Sequence, residues 1–362
     1  MTNILLLGAG KIGEMIAFLL SGTGDYHVTV ADSDLKNLTA ISDIDGVSIL
    51  ELDISDIKGL VSAMDGKFAV LSACPFQLNP IIARAAKIAK INYLDLTEDV
   101  ESTRLVKELA QDANGYSFIP QCGLAPGFIS IVGFDLAQNF DHLQNVHLRV
   151  GALAQFPNNA LKYNLTWSTD GLINEYIKPC ECISGGKLVE SPPLEELEVF
   201  SMDGTEYEAF NTSGGLGTLC ETLEGKVQNL NYRTVRYPGH RDILKILLQD
   251  LRLGERPDLM KDIFETAIPM TKQDVVLVHA TVTGMKNGKY MQETYANKVY
   301  AREINRKTWT GIQITIASGI CAVLDLLVDE KLPKTGFVKQ EDISFKDFIE
   351  NRFGSNYAYK TK

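Results

Sequence analysis

The sequence predicts an α/β chain: a doubly wound parallel sheet, followed by a second α+β domain built on a mixed or antiparallel sheet. Three observations carry this expectation. Asn3 to Gly13 reads as a strand, a glycine turn and a helix start; strand and helix patterns then alternate to about Pro120; and hairpin signals take over beyond Gly127.

The first stretch is the most specific. Four apolar residues, Ile4 to Leu7, make a short buried strand that runs into Gly8-x-Gly10-x-x-Gly13 and an apolar-periodic helix (Ile12, Ile16, Leu19, Leu20). Gly8 allows the turn, Gly10 lets backbone approach a pyrophosphate, and Gly13 lets the helix lie on the strand. The free N–H groups that begin the helix, around Lys11 and Ile12, face the phosphates. A second β-rich run, His27 to Ala31, ends at Asp32, where an acidic residue hydrogen-bonds the adenosine ribose hydroxyls. A glycine motif alone is weak, but strand, helix, second strand and acid all fit, so a Rossmann-type dinucleotide site is expected. A carboxylate at Asp32 repels a 2′-phosphate and no Arg follows in Ser33-Asp34-Leu35, which favours NAD over NADP.

A chain of 362 residues is too long for one ordinary core, which points to two domains. With 45% hydrophobic and 22% charged residues the composition is globular, and no apolar run is read as long enough to cross a bilayer. The net charge of −11 argues against nucleic acid or an anionic membrane as partner. Thr2-Asn3 leads directly into the first strand, so no signal peptide and a cytoplasmic location are expected. The six cysteines are scattered and read as free thiols; Cys180-x-Cys182 lacks companion ligands, so no metal site is expected.

Further strands are expected at Val47–Asp53, Phe68–Ala73, Asn92–Leu96 and Tyr116–Pro120, with helices near Ser55–Met64, Asn79–Ala89 and Glu98–Gln111. Ligands of such a sheet sit beyond the carboxyl ends of its strands, so Asp53 and Ile54, Ser72 to Pro75 (with Ala73 and Cys74), Asp95 to Thr97 and Gln121 to Gly127 are the residues to watch. Asp53 either touches adenine or caps the helix near Ser55. Past Gly127, a helix at Phe128–Asn139 and a strand at Val146–Leu153 precede hairpins at Ser184-Gly-Gly186, Asp203-Gly204 and Lys286–Lys289. Helices are expected near Thr169–Ile177, Gly239–Leu251 and Asp258–Ala267, and the long strands Asp274–Thr283 and Tyr290–Ala301 pair. Thr310–Val328 is a strongly apolar helix that needs burial, and is expected to return to the nucleotide domain. The domains are thus 1–123, completed by 310–362, and 124–309, the latter binding substrate and carrying the subunit interface.

Five motifs in order carry a family resemblance: Gly8–Gly13, Gly123-Leu-Ala-Pro-Gly127, Asn159–Ser168, Asn211-Thr-Ser-Gly-Gly215 and Tyr232–His240. Together they resemble the saccharopine dehydrogenase family, whose near relative is lysine 6-dehydrogenase. The resemblance implies an NAD(P)-dependent oxidation at the ε-carbon of a lysine-derived amine, giving 2-aminoadipate 6-semialdehyde. Ala125 departs from the Gly-Leu-Asp-Pro-Gly pattern of many saccharopine-cleaving members and is closer to the lysine 6-dehydrogenase pattern.

That chemistry needs a proton acceptor and groups to hold carboxylates. Asp95, Cys122 and His240 are the candidate catalytic residues, against the plainer readings of a helix-capping acid, a small buried hydrophobe and a capping or surface imidazole. Arg233 and Arg236 lie three apart on one strand and point to opposite faces; Arg236 is favoured as the substrate anchor, against an exposed solvating Arg. Lys162 and Tyr163 supply a second anchor and a hydroxyl, and Ser213 belongs to an anion cradle or caps the helix Leu216–Leu223. The Arg and Lys supply around the motifs (Arg149, Lys162, Arg233, Arg236, Arg241) suits the three carboxylates of saccharopine, with lysine as the alternative substrate. A polyamine-type dehydrogenase closing carboxynorspermidine, or a non-catalytic nucleotide-binding protein on the same fold, completes the alternatives. A homodimer through the second domain is expected from its sheet edges.

Overall fold

In the computed structural model, which describes residues 1–358, the chain divides into two compact units: residues up to Phe128 with those from Gln313 on, and Ile129–Ile312. The sequence reading places these boundaries at 123/124 and 309/310, and residues 359–362 of its closing segment lie outside the described residues. The first unit alternates β1 (Thr2–Leu7), α1 (Lys11–Ser21), β2 (Tyr26–Asp32), α2 (Leu35–Ile41), β3 (Val47–Glu51), α3 (Ile57–Ala63), β4 (Ala69–Ser72), α4 (Asn79–Ala89), β5 (Asn92–Asp95), α5 (Val100–Ala110) and β6 (Ser117–Ile119). The chain goes on through α6 (Phe128–Ala137), β7 (His142–Ala154), α7 (Thr169–Ile177), β8 (Cys180–Ser184), β9 (Lys187–Ser191), β10 (Glu198–Met202), β11 (Thr205–Asn211), α8 (Leu219–Leu223), β12 (Val227–Arg236), α9 (His240–Lys245), α10 (Pro257–Ala267), β13 (Asp274–Lys286) and β14 (Lys289–Tyr300). A small hairpin, β15 (Arg302–Ile304) and β16 (Lys307–Trp309), leads to α11 (Gly311–Val328), β17 (Gly336–Phe337) and α12 (Phe345–Glu350).

The first sheet is wholly parallel, in the order β17-β6-β5-β4-β1-β2-β3. Strand β1 lies at its middle with β2 on one side and β4 on the other, and Ile4 to Leu7 are fully buried, as a strand covered on both faces requires. The strand order reverses at β1, so the crevice above its carboxyl end is the place for a ligand. Helix starts are fixed by carboxylates: Asp34 accepts from the Lys36 N–H, Asp56 from Gly59 and Asp99 from Ser102. The seventh strand, β17, has only two residues and no sequence signature; it pairs with β6 through Gly336 and Phe337.

From Gln313 on, α11 packs within the nucleotide unit, as its apolar composition predicts. A Cβ on Gly319 would fall 2.6 Å from the Cys122 carbonyl oxygen, so the small residue is what lets the helix lie against the end of β6. By length and composition α11 does meet the requirement for crossing a membrane, contrary to the sequence reading, but 89% of it is buried inside the protein.

The second unit carries a mixed sheet in the order β10-β11-β12-β7-β13-β14, with β8 and β9 attached to β12. Its one parallel contact joins β12 to β7, and the predicted hairpins all form, β13 and β14 pairing over their full length. The expected helix Gly239–Leu251 is split: α9 gives way to a π-helical turn over Ile246–Asp250. Asp274, fully buried at the start of β13, accepts the Gly311 and Ile312 N–H groups and so caps the start of α11.

Candidate functional site

The crevice above β1 holds a cavity of about 460 Å³. Gly8, Gly10, Asp32, Asp53, Ile54, Ala73, Cys74 and Pro75 line it as the sequence indicates, joined by Ser33, Asn37, Leu52, Ser55, Leu78 and Ile81. Ser33 and Leu52 follow directly on strand ends, Asn37 lies in α2, Ser55 precedes α3, and Leu78 and Ile81 open α4. Lys11, Ile12 and Gly13 form the first turn of α1 and are not in the cavity wall. Ser72 lies beneath it, its hydroxyl given to Asn79 Oδ1 at 2.6 Å.

The glycines fit a dinucleotide. Gly8 has φ of 97°, and a side chain there would meet the Ala73 carbonyl at 2.9 Å; a Cβ on Gly13 would lie 1.9 Å from the Gly8 oxygen. A Cβ on Gly10 meets nothing within 4 Å: at the uncapped N-terminus of α1 there is room for a pyrophosphate. Asp32 closes β2 with its carboxylate split between two backbone donors, Ala9 N–H at 2.7 Å and Asp34 N–H at 2.8 Å. It thereby braces the glycine turn while lining the cavity. Asp53 accepts from the Ser55 N–H at 2.8 Å, which holds its carboxyl below the usual range; the cap of α3 is Asp56, so the capping alternative for Asp53 does not hold. Among the described residues, no Lys or Arg lines the cavity.

The expected bases are all engaged. Asp95 is fully buried: Oδ1 accepts the Thr97 and Gln121 N–H groups, both at 2.9 Å, and Oδ2 accepts the Tyr93 hydroxyl at 2.6 Å. It ties the ends of β5 and β6 together, and burial pushes its carboxyl up against the pull of these bonds. The cap of α5 is Asp99, so the helix-capping alternative for Asp95 does not hold. Cys122 is 1% exposed, its thiol directed to the Ile119 carbonyl at 3.0 Å, and burial raises it well above the ordinary thiol range. It is an inert, packed thiol. The group poised near neutrality is one the sequence reading passed over: Glu98, partly buried just beyond β5, is pushed up to about 7 by burial and by the charges of Asp99 and Asp95.

A second polar cluster lies in the other unit. Arg236, at the end of β12, is 3% exposed, contrary to a solvating role. Its Nε donates to the Tyr176 hydroxyl at 2.9 Å and Nη1 to the Val235 carbonyl at 2.8 Å, and its guanidinium stands over the rings of Tyr163 and Tyr176, at 5.1 and 5.8 Å from their centroids. It makes no ion pair among the described residues. The buried Tyr163 hydroxyl makes no hydrogen bond of ordinary geometry among the described residues, although Thr166 and Trp167 lie close enough to act on it. His240 is 1% exposed; burial first, then the charge of Arg236, push it down to about 3. The near-neutral base expected there is therefore a permanently neutral imidazole.

The remaining arginines of the motifs are bound to carboxylates. Arg149 and Arg233 share Glu198, Arg149 through Nε and Nη2 and Arg233 through Nη1 at 2.6 Å, with Glu196 taking the other arm of Arg233. Arg233 and Arg236 thus have separate partners, as opposite faces require. Arg241 reaches Glu195, Asp242 and the Leu194 carbonyl. Lys162 is exposed and donates to the Pro238 carbonyl at 2.8 Å. Ser213 donates to the Pro179 carbonyl and caps nothing; α8 begins later, at Leu219, with no side-chain cap.

Residues 123–353 match the family model of the saccharopine dehydrogenase C-terminal domain, and residues 4–117 that of the saccharopine dehydrogenase NADP binding domain. The chain belongs to the saccharopine dehydrogenase family, a family of oxidoreductases, and its first unit is a nicotinamide-nucleotide-binding domain. Family relatives include the mitochondrial α-aminoadipic semialdehyde synthase of Bos taurus, 24% identical over 203 residues, which are 52% of this chain and 21% of that protein. Another is the saccharopine dehydrogenase [NADP(+), L-glutamate-forming] of Schizosaccharomyces pombe, 25% identical over 211 residues, 55% of this chain and 45% of that protein. The matches thus span about a fifth of the first relative's length and less than half of the second's. Among solved structures, the apo saccharopine dehydrogenase (L-Glu forming) of Saccharomyces cerevisiae has the same fold, with a TM-score of 0.79 at 15% identity over 97% of both chains.

Proposed function

We propose that the protein is a nicotinamide-dinucleotide-dependent dehydrogenase acting on a CH–NH donor, oxidising saccharopine to 2-aminoadipate 6-semialdehyde and glutamate. The observation that carries the reading is Arg236: a guanidinium almost wholly buried, in no direct ion pair among the described residues and with the charge of Glu175 acting on it only from longer range, beside the buried Tyr163 hydroxyl. A buried charge left unpaired is costly, and an amino-acid carboxylate is the ligand group that fits it. Bound at the head of α1, the dinucleotide supplies the hydride acceptor. The chain's own residues do the rest. Within the second unit Arg236 and Tyr163 are suited to hold a carboxylate, and within the nucleotide unit Glu98, half deprotonated near neutrality, is suited to accept the proton released as water converts the oxidised carbon to the aldehyde.

For the cofactor we propose NAD. The family model and the S. pombe relative carry NADP in their names. The cavity of this chain, however, is lined by Asp32 and Asp53 and by no cation that would neutralise a 2′-phosphate.

One observation favours a second substrate. Three of the five cations that suited a tricarboxylate are already bound to protein carboxylates, leaving Arg236 and Lys162. A single α-carboxylate, as in lysine, matches that smaller supply, so lysine 6-dehydrogenation is the alternative. Steady-state reduction of NAD and NADP with L-saccharopine, L-lysine and carboxynorspermidine tests both. Turnover of saccharopine supports the first reading, turnover of lysine alone the second, and inertness toward all three rejects both.

A further inference from the structure

Leu161 O, Nδ1 and Nε2 of His240, the Tyr176 hydroxyl and Nε of Arg236 form one continuous line of hydrogen bonds, drawn from a loop, α9, α7 and β12. We propose that His240 is a positioning residue: acting through Tyr176, it fixes the guanidinium plane of Arg236 in the orientation that receives a substrate carboxylate. This rests on Arg236 as the carboxylate anchor.

The direction of the line follows from its end. A backbone carbonyl only accepts, so Nδ1, 2.8 Å from the Leu161 oxygen, carries the hydrogen. Buried beside a guanidinium, the imidazole is neutral and Nε2 is a lone pair. The Tyr176 hydroxyl, 3.2 Å away, must therefore donate to it, which leaves the Tyr176 oxygen free to accept Nε–H of Arg236 at 2.9 Å. Every atom has one role. With Nε held by Tyr176 and Nη1 by the Val235 carbonyl, the plane of the fork is set by two bonds, and Nη2 keeps no hydrogen-bond partner among the described residues. Ring packing holds the relay from the sides: Phe210 stacks on His240 at 14° between planes, and Tyr163 lies under the guanidinium. A carboxylate receiving two parallel N–H bonds is sensitive to the tilt of that plane, so losing the relay weakens binding without touching the reacting carbon.

The test has two arms. In ligand-free wild-type protein labelled with ¹⁵N, His240 is expected as the Nδ1–H tautomer, untitrated through the physiological range, and Tyr176→Phe is expected to shift the Arg236 Nε–H resonance. An Nε2-protonated or titrating imidazole, or an unmoved Arg236 resonance, overturns the relay, and the wild-type spectrum decides even where a variant does not fold. In the kinetic arm, Tyr176→Phe and His240→Phe should each raise KM for whichever of L-saccharopine or L-lysine is turned over by roughly 10-fold, with kcat and NAD affinity held. The double variant should be no worse than either single one. Additive effects, or a fall in kcat at unchanged KM, overturn it. If wild-type protein turns over neither amine, the proposed function fails and the spectra alone judge the relay.

Discussion

The hydroxyl of Tyr26, on β2, donates to Asp325 Oδ1 on α11 at 2.5 Å across 299 residues of sequence. Asn351 and Arg352, just beyond α12, converge on the same carboxylate, Arg352 through Nε and Nη2. The closing segment is thereby fastened to the first strands of the nucleotide unit by one buried charge, the sole charged residue in α11. Removing it strands a buried phenol and breaks the Arg352 fork, so Asp325→Ala should cost about 3 kcal/mol and Tyr26→Phe about 1–2 kcal/mol in urea unfolding. The bonds from Arg352, Tyr26 and Asn351 outweigh burial and hold the Asp325 carboxyl below its ordinary value. Its contribution is therefore complete above the ordinary carboxylate range and is lost as pH falls through the lower, folded value. Asp325→Asn should flatten that part of the stability profile.

The proposed preference for NAD rests on Asp32. NAD should be preferred by at least about tenfold in kcat/KM, on the order of 1.4 kcal/mol for one opposed charge in a partly solvated site. Because the same carboxylate accepts from the Ala9 N–H, Asp32→Ala should narrow the gap between the cofactors and also raise KM for NAD. Equal or better activity of the wild-type protein with NADP would refute the preference.

Glu98 should govern the pH profile. A carboxyl at about 7 must lose its proton to act as a base, so kcat should rise through neutrality and level off above it. Glu98→Gln should lower kcat by roughly 10²-fold, retain substrate binding, and abolish that rise. A profile unchanged in the variant would remove Glu98 from the reaction.

What was legible in the sequence follows the strength of local signals. The glycine turn, Asp32 and the hairpins at Ser184, Asp203 and Lys286 each have a local physical signature, and each formed where expected. The polar site did not follow. Sequence position gave Asp95 its place at a strand end but not its three donors, and gave Arg149, Arg233 and Arg241 their charges but not Glu198 and Glu195, which lie 35 to 49 positions away from them. Glu98 was invisible because its shift comes from burial, which no spacing records. Strand β17 was missed because two residues carry no period.

The second unit ends its sheet on β14, a strand of 12 residues paired with β13 alone among the described residues, with Tyr290, Met291 and Tyr300 exposed along it. Edge position and exposed apolar side chains favour association, and we propose that a second copy of the chain packs on this face. Light scattering should give twice the 40.0 kDa chain mass at micromolar concentration, and Gln292→Pro should return it to one. A wild-type particle of 40.0 kDa would dispose of the dimer.

The cations of the second unit separate binding from stability. Arg149 and Arg233 both neutralise Glu198 on the same sheet, so Arg149→Ala should cost about 1–3 kcal/mol of stability by thinning that cluster, with KM for the amine substrate nearly unchanged. Arg236 makes no direct ion pair among the described residues, Glu175 acting on it only at longer range. Arg236→Ala should instead raise KM for the amine substrate by roughly 10²-fold, about 2–3 kcal/mol for a lost charged hydrogen bond, with NAD affinity held. Arg236→Lys should recover little, because a point charge cannot take the bond from Nε to Tyr176 and present a planar fork at once. If Arg149→Ala raised KM as much as Arg236→Ala, the anchor would have to be shared between the two, and the case for a single-carboxylate substrate would fall with it.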